Sequence, residues 1–413
     1  MQSLEGFYGF LNELHTVRTA IVGYYLMQAH TPHQRRSLEH ALSAIDELPG
    51  GTLDKKLEAG GRETIVTLDY ERGELEKDIF FLDHADDEFE AYLAERHDSA
   101  HQHAPSHDPD RPAFSREVSD ALDFLRDFLG RASAVRFITD RDGTVNNYCG
   151  RYRSSHQSIW NAVYLSRFAR AATADSVILT SAPLMSVGLL DLTAMPAGTT
   201  HYAGSKGREY YTRAGTKGAM EIKEEQAERL KELNRRIDAL VARDEYRTFG
   251  VIGSGVQHKF GQTTVGRQDI HESIPADVSR SFLEEVRSTV HSLDPNGSVF
   301  GIEDTGKDIE ITLTADDGHE FTKGDGIAFV NAELDLGLRR GPNLICGDTS
   351  SDAPMVEKAV ELGAASSTAA VFVTQDDALR ERVRNVVPRA HFVTEPDALV
   401  LALHRLAAER GAQ

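Results

Sequence analysis

Two aspartates one residue apart, in Asp140-Arg141-Asp142-Gly143-Thr144, follow directly on the apolar run Val135-Arg136-Phe137-Ile138-Thr139. The run predicts a strand, and ligands of a parallel sheet bind at the carboxyl ends of its strands. Two carboxylates at that spacing allow one to attack while the other moves protons. Gly143 permits a tight turn whose amides can face an anion. Asp-Gly after a strand is also an ordinary turn signal, so three further segments carry the weight. Thr180 closes the apolar run Ser176-Val177-Ile178-Leu179-Thr180 and offers a hydroxyl to a phosphoryl oxygen, although Thr is also a common strand residue. Lys323-Gly324-Asp325-Gly326 opens a helix, where an ammonium group and free amides can hold an anion; a solvated lysine is the plainer reading of that position alone. Asp348 and Asp352, in Gly347-Asp348-Thr349-Ser350-Ser351-Asp352 after a third apolar run, are hard oxygen ligands separated by one loop-to-helix turn, which suits Mg²⁺. Asp352 could equally cap that helix. Four carboxylates meeting in one crevice raise one another's pKa, so the set is coherent only with a divalent cation and a positive side chain, which Lys323 supplies.

The elements that must bring these residues together are strands alternating with helices. Asn343-Leu344-Ile345-Cys346-Gly347, Ala370-Val371-Phe372-Val373-Thr374 and His391-Phe392-Val393 continue the series begun at Val135. Their unbroken hydrophobicity predicts central strands of a parallel sheet covered on both faces. Some 140 residues of different texture separate Thr180 from Lys323. A charged helix from about Glu221 to Arg243 and alternating segments, Thr248-Phe249-Gly250-Val251-Ile252 and Asp308-Ile309-Glu310-Ile311-Thr312-Leu313, predict an inserted α+β domain above the crevice. Upstream, Phe7, Leu11, Leu14, Val17, Ile21 and Tyr24 recur at helical spacing. Thr31-Pro32-His33-Gln34 reads as the capped start of a second helix, which Leu38, Leu42, Ile45 and Leu48 continue to Pro49-Gly50-Gly51. A third is expected from about Glu63 to Arg96. The histidine-rich tract from His97 to Asp110 has little to bury and reads as a linker. The expected domains are thus a helical unit (1–96), a linker (97–112), a core (113–212 and 318–413) and a cap (213–317).

Composition narrows the class. The 413 residues are 40% hydrophobic and 27% charged, enough for more than one core. Lys and Arg number 45 against 65 Asp and Glu, a net charge of −20. Such a surface repels nucleic acid and anionic membranes, which excludes both as main partners. It also repels a phosphorylated substrate, so a phosphate site must supply its own positive charge. Two cysteines cannot build a disulfide framework, no apolar run approaches the roughly 18 residues of a membrane span, and the first residues lack the pattern of a leader. The expectation is a cytoplasmic protein acting on a small molecule.

The four segments together resemble the haloacid-dehalogenase (HAD) superfamily of phosphotransferases. Placing the insertion between Thr180 and Lys323 resembles the subgroup with a large α/β (C2B-type) cap, which includes trehalose-6-phosphate, sucrose-phosphate and mannosylglycerate phosphatases. Longer strings are similar to nematode-type trehalose-6-phosphate phosphatases: Asp142-Gly143-Thr144 with Tyr148-Cys149, Leu190-Asp191-Leu192-Thr193-Ala194-Met195-Pro196, Gly207-Arg208-Glu209, Gly253-Ser254-Gly255-Val256-Gln257, and Ile345-Cys346-Gly347-Asp348-Thr349. The resemblance implies an α/β fold: a Rossmann-like HAD core with a parallel sheet, an inserted α+β cap and an N-terminal helical domain. It implies Asp140 as nucleophile, Asp142 as acid and base, and Thr180 and Lys323 as holders of the phosphoryl oxygens. Mg²⁺ would be bound by Asp140, the backbone carbonyl of Asp142 and Asp348, with Asp352 binding the ion or orienting its waters. Gln257, Lys259 and Glu310 of the cap are expected to contact the sugar, with Arg208 and Glu209 as further contacts or hinge residues. Two positions depart from the family pattern, since Arg141 and Lys206 stand where an aromatic is expected. Trp160, Cys149 and Cys346 read as packing residues. A phosphatase of another sugar phosphate, or a non-catalytic regulatory protein, remains an alternative. The helical domain is expected to mediate self-association, to dock onto the synthase that makes the substrate, or to support solubility.

Overall fold

A computed structural model describes residues 2–29, 32–102, 111–130, 132, 134–269, 272–314 and 320–411. The N-terminal part comprises helices α1 (Leu4–Leu26) and α2 (Pro32–Asp46), a hairpin of β1 (Asp54–Ala59) and β2 (Arg62–Thr67), then α3 (Asp69–Asp83) and α4 (Asp86–Gln102). The first half of the core follows as α5 (Phe114–Leu129), β3 (Val135–Thr139), α6 (Ile159–Ala172), β4 (Thr173–Leu179), a short α7 (Leu189–Leu192), β5 (His201–Gly204), β6 (Glu209–Tyr211) and β7 (Lys217–Ala219). The insertion holds α8 (Glu224–Val241), β8 (Val256–Lys259), β9 (Gln262–Gly266), α9 (Ala276–Leu293), β10 (Phe300–Asp304) and β11 (Asp308–Leu313). The chain returns to the core with α10 (Lys323–Leu334), β12 (Asn343–Gly347), α11 (Ala353–Leu362), β13 (Thr368–Val373), α12 (Asp377–Val386), β14 (Ala390–Val393) and α13 (Pro396–Glu409).

The core sheet has the order β14-β13-β12-β3-β4-β5-β6-β7. Strands β14 to β5 pair in parallel, and β6 and β7 close the edge in antiparallel fashion. The order reverses between β12 and β3, the two strands whose ends carry Asp348 and Asp140, which is where such sheets place ligands. Every residue of β12 and β13 is buried, as continuous hydrophobicity requires of strands covered on both faces. The cap is a second sheet, β10-β11-β9-β8, with α8 and α9 packed on it around Leu233, Ile237, Phe282 and Val286. The antiparallel hairpin β6–β7 belongs to the core sheet, so the expected core-to-cap boundary at 212 falls inside it.

Three local expectations change. The third helix does not begin at Glu63: Thr64-Ile65-Val66-Thr67 lies in β2, paired with β1 through a two-residue turn at Gly60-Gly61. Both glycines have positive φ, 60° and 86°, the conformation that matches the twist of a tight hairpin, and β-branched residues fit its pleat. Residues 97–102, expected in the linker, continue α4; His97 bonds Asp397 at 2.8 Å and stacks on Phe114, which anchors that last turn to the core. Residues 103–110 of the expected linker and Thr31 lie outside the described residues. Thr248-Phe249-Gly250-Val251-Ile252, expected as a strand, is a 3₁₀ turn at Arg247–Gly250 whose Phe249 stacks on Phe282 in the cap core.

The N-terminal helices pack directly on the core. Phe7, Leu11 and Ile21 of α1 and Phe89 and Leu93 of α4 share one apolar cluster with Trp160 and Tyr164 of α6 and Leu399 and Leu403 of α13. Helix α6 is therefore buried almost all round, between the sheet on one side and α1, α3 and α4 on the other. Each such side chain contributes about 1.5–3 kcal/mol by leaving water, so the stripes seen in the sequence are committed to the core. Among the described residues no helix is long and apolar enough to cross a membrane.

Candidate active site

Strand β3 ends at Thr139, and the next carboxylate, Asp140, is 5% exposed. Its amide donates to the Cys346 carbonyl at 2.9 Å, which fixes it against the end of β12. Gly143 has φ of 90°, and a Cβ there would sit 2.2 Å from Asp348 Oδ2. Glycine is thus required both for the turn and for the approach of the two loops. Lys323 is the first residue of α10, placed by a capping box between Thr322 and Asp325. Its Nζ lies 2.6 Å from Asp140 Oδ1 and 2.5 Å from Asp352 Oδ1. Asp352 stands at the N-cap of α11, but its carboxylate does not cap that helix. Its Oδ2 instead accepts from the amides of Asp348 and Thr349 at 3.0 and 2.9 Å. The carboxylate thus turns to Lys323 and the loop amides rather than to the helix it precedes.

Oxygen atoms of Asp140, Asp348 and Asp352 lie within 4.8 Å of one another. Thr144 Oγ1 bridges two of them, at 3.4 Å from Asp140 Oδ2 and 3.1 Å from Asp348 Oδ1. Burial first, and then the neighbouring carboxylates, push the Asp348 carboxyl up to about 9. Burial pushes Asp140 up to about 7 although Lys323 opposes it. Asp352 is held below the usual range, because Lys323 and the loop amides outweigh its burial. One ammonium group faces three carboxylates, and the uncompensated charge sits on the Asp140–Asp348 side. Hard oxygen donors with excess negative charge fit a divalent cation.

Asp142 is held apart from that cluster. Its Oδ1 accepts from Arg141 Nη1 at 2.6 Å, Ser155 Oγ at 2.5 Å and Asn146 Nδ2 at 3.3 Å. Of the four expected metal residues, it is the one whose carboxylate lies outside the cluster. Thr180 follows β4, and its hydroxyl accepts from the Ala182 amide at 3.3 Å.

Asp140, Asp142, Thr180, Lys323 and Asp348 line a cavity of about 250 Å³ that also takes in Gln257 and Lys259 of the cap and a wall of core residues between Tyr148 and Ser155. Gln257 and Lys259 are buried on one face of β8, while His258 between them pairs with Asp238 on the other. Glu310 does not line this cavity. It accepts from Gln262 Nε2 at 2.8 Å and lines a separate cleft with Thr312 and Phe321. Neither do Arg208 and Glu209. Arg208 lies 4.4 Å over the Phe321 ring, and Glu209 accepts from Ser205 Oγ at 2.6 Å. That same hydroxyl accepts from the Phe260 amide of the cap at 2.9 Å, so Glu209 lies at the junction of core and cap.

Burial lowers the Lys259 ammonium to about 8, although Glu310 and Asp308 favour its charge. A lysine lowered in this way is charged below about pH 8 and neutral above. If its ammonium meets substrate, KM rises as pH passes from 7 to 9, and Lys259→Met removes that rise; steady-state KM across this range is the check. The sign for stability is opposite, since burial of the charge is relieved as the group loses its proton.

Two family models match the chain: "Trehalose-6-phosphate phosphatase, C-terminal" over residues 137–399 and "Trehalose-6-phosphate phosphatase N-terminal helical bundle domain" over residues 3–99. The chain belongs to the trehalose-6-phosphate phosphatase family. It is 33% identical over 312 residues to a trehalose-phosphatase of Brugia malayi, covering 73% of this chain and 63% of that one. A trehalose-phosphatase of Caenorhabditis elegans is 32% identical over 311 residues, covering 73% and 70%. An alpha,alpha-trehalose-phosphate synthase [UDP-forming] 2 of Caenorhabditis elegans is 30% identical over 416 residues, or 98% of this chain and 33% of that one. The chain thus spans about a third of the length of several curated relatives that it matches nearly end to end.

Within this family member, Arg141 is a buried guanidinium that joins Asp142 to Ser155 and to the Leu192 carbonyl. The departure from an aromatic residue therefore places a charge directly on the second aspartate. Lys206 lies 3.8 Å from Glu320, beside Lys259 and away from the Asp140 cluster. Asn146 and Ser155 are absent from the residues expected at the site, whereas Tyr148 belongs to the Tyr148-Cys149 string. For Asn146 and Ser155 the only signal was polar composition just after Asp-Gly-Thr, in a stretch otherwise read as connection. Trp160 and Cys346 are packing residues as expected, both fully buried. Cys149 touches the cavity, but burial pushes its thiol far above the range of a nucleophile.

Proposed function

We propose that this chain is a phosphoric monoester hydrolase that converts trehalose 6-phosphate to trehalose and phosphate through an aspartyl-phosphate on Asp140. The observation that carries the reading is the contact of a buried Asp140 with Lys323 at 2.6 Å, beside a carboxylate cluster and two residues from a separately held Asp142. An Asp140 oxygen forms a bond to phosphorus as the bond from phosphorus to the sugar oxygen breaks, and Asp142 gives that oxygen a proton. Water then attacks phosphorus while Asp142 takes its proton, and the acyl phosphate opens to release phosphate. Lys323 and Thr180 hold the non-bridging oxygens. Asp140, Asp348 and Asp352 would hold Mg²⁺, which when bound offsets the repulsion between the carboxylates and a phosphate dianion. Lys259 and Lys323, which line the cavity, answer the repulsion expected from a net charge of −20.

The trehalose specificity is supported by the names of the relatives and by Gln257 and Lys259, which face the phosphate site from the cap and can bond sugar hydroxyls. Two buried free cysteines support a reducing, cytoplasmic setting. Docking onto a synthase is supported by relatives in which the matching region sits within a protein named as synthase. Phosphate release from trehalose 6-phosphate, sucrose 6-phosphate and glucosylglycerol phosphate, with Mg²⁺ and with chelator, tests the reading. The highest kcat/KM is expected for trehalose 6-phosphate, with activity lost in chelator. A higher value for another ester transfers the activity to that sugar. Absence of metal-dependent release from all of them restores the regulatory reading.

A further inference from the structure

Between β3 and α6 the chain runs from Asn146 to Ser158 with only one 3₁₀ turn, at Tyr152–Ser154. This loop forms the cavity wall from Tyr148 to Ser155 and supplies both Asn146 and Ser155 to Asp142. With so little backbone bonding of its own, it is held by side chains, and those come largely from α3 and the residues before it. Tyr70 spans its two ends: the phenol donates to the His156 carbonyl at 3.1 Å and accepts from Asn146 Nδ2 at 3.3 Å. Further along, Asn147 donates to Glu74 Oε1 at 3.1 Å and Asp397 Oδ1 at 2.8 Å. Arg151 donates to Glu71 Oε1 at 2.6 Å and to the Thr67 carbonyl at 2.8 Å. Glu71 and Glu74 are buried, and Lys77 balances Glu74 and Asp397 at 2.9 and 2.8 Å. Buried charges so paired hold one geometry, since each partner lost leaves another unsatisfied.

Donors converge on Asp142, with the two Asn146 Nδ2 hydrogens shared among Asp142, Tyr70, Ser155 and the Asn147 carbonyl, all within 3.3 Å. Ser155 has one hydroxyl hydrogen, directed at Asp142 Oδ1, and accepts from Asn146 and Arg141, both at 3.1 Å. Tyr70 has one hydrogen, directed at His156, the neighbour of Ser155, and accepts from Asn146. Two of the three groups that hold Asp142 are therefore tied to the same phenol on α3, one directly and one through the adjacent peptide.

We propose that Tyr70 is a positioning residue for Asp142, and that through it the N-terminal helical domain takes part in the proton transfers of the reaction. The inference rests on the acid and base role given to Asp142 above. It assigns the domain a function distinct from association or solubility.

Leaving groups separate positioning from plain structural support. A sugar alkoxide needs the proton of Asp142 to depart, whereas p-nitrophenolate departs without it. In the full chain with Mg²⁺, Tyr70→Phe is expected to lower kcat on trehalose 6-phosphate roughly tenfold with KM changed less than about twofold. On p-nitrophenyl phosphate kcat/KM, which ends at the first bond cleavage and so excludes the later base step of Asp142, should fall by less than about threefold. Tyr24→Phe, on the exposed side of α1, leaves both unchanged. Asn146→Ala is expected to show the same split, and the double variant to lose no more than the worse single one, because both act on one carboxylate. Equal losses of kcat/KM on the two esters, no loss on trehalose 6-phosphate, or independent losses in the double variant would each overturn the proposal. Wild-type cleavage of trehalose 6-phosphate is measured first. Its absence fails the functional reading rather than this one, and the sugar phosphate that is cleaved then takes its place in the comparison.

Discussion

Asp140→Asn is expected to remove phosphate release by roughly four orders of magnitude or more, because an amide neither attacks phosphorus nor leaves it. The fold should persist. Asp140 is buried, and burial already pushes its carboxyl up to about 7, so a neutral group of the same shape removes charge from a crowded site. In chelator the melting temperature of the variant is expected to equal or exceed that of the parent. Addition of Mg²⁺ should raise the melting temperature of the parent more than that of the variant, since one of three clustered carboxylates is gone. Full activity in the variant, or a collapse of its folded state in chelator, contradicts this account of the residue.

Lys323→Met has the second large effect, and here stability falls together with turnover. Lys323 is the shared cationic partner of Asp140 and Asp352, within 2.6 and 2.5 Å, and all three are buried. Removing one member of a buried ion pair costs about 3–5 kcal/mol, since the charges left behind have lost their partner. The urea midpoint in chelator should fall accordingly, and phosphate release should drop at least about 100-fold. Mg²⁺ should restore part of the stability, because a divalent cation also offsets the carboxylates. It should not restore turnover, because a contact to the phosphoryl oxygens is missing. Stability equal to the parent in chelator would mean that the lysine does not balance the cluster.

How far the sequence revealed these things depended on the range of the interaction. Asp140, Asp142, Thr180, Lys323, Asp348 and Asp352 were legible because each directly follows a strand or opens a helix, and local composition marks both. The parallel core was legible because β12 and β13 are apolar without alternation. Strand β2 falls where the sequence predicts the start of a helix, although Gly60-Gly61 between alternating residues is the signal of its hairpin with β1. The apolar stripes of α1 and α2 were visible, but no local pattern states that α1 packs on α6 rather than on a free bundle. Arg208 and Glu209 followed from likeness alone and Glu310 from likeness and its place on a cap strand, and tertiary packing directs the three to Phe321, Ser205 and Gln262. Tyr70 is separated from Asn146 by 76 positions, and nothing in either neighbourhood announces the other.

The central claim is an acyl phosphate formed on Asp140 from trehalose 6-phosphate, and it can be trapped. Protein in excess, mixed with Mg²⁺ and phosphorus-labelled trehalose 6-phosphate and quenched in acid within milliseconds, should carry label on the peptide that contains Asp140. Hydroxylamine should release it, as expected of an acyl phosphate, and Asp140→Asn should carry none. Rapid turnover with no label on the protein, or label on a peptide that lacks Asp140, would contradict the account.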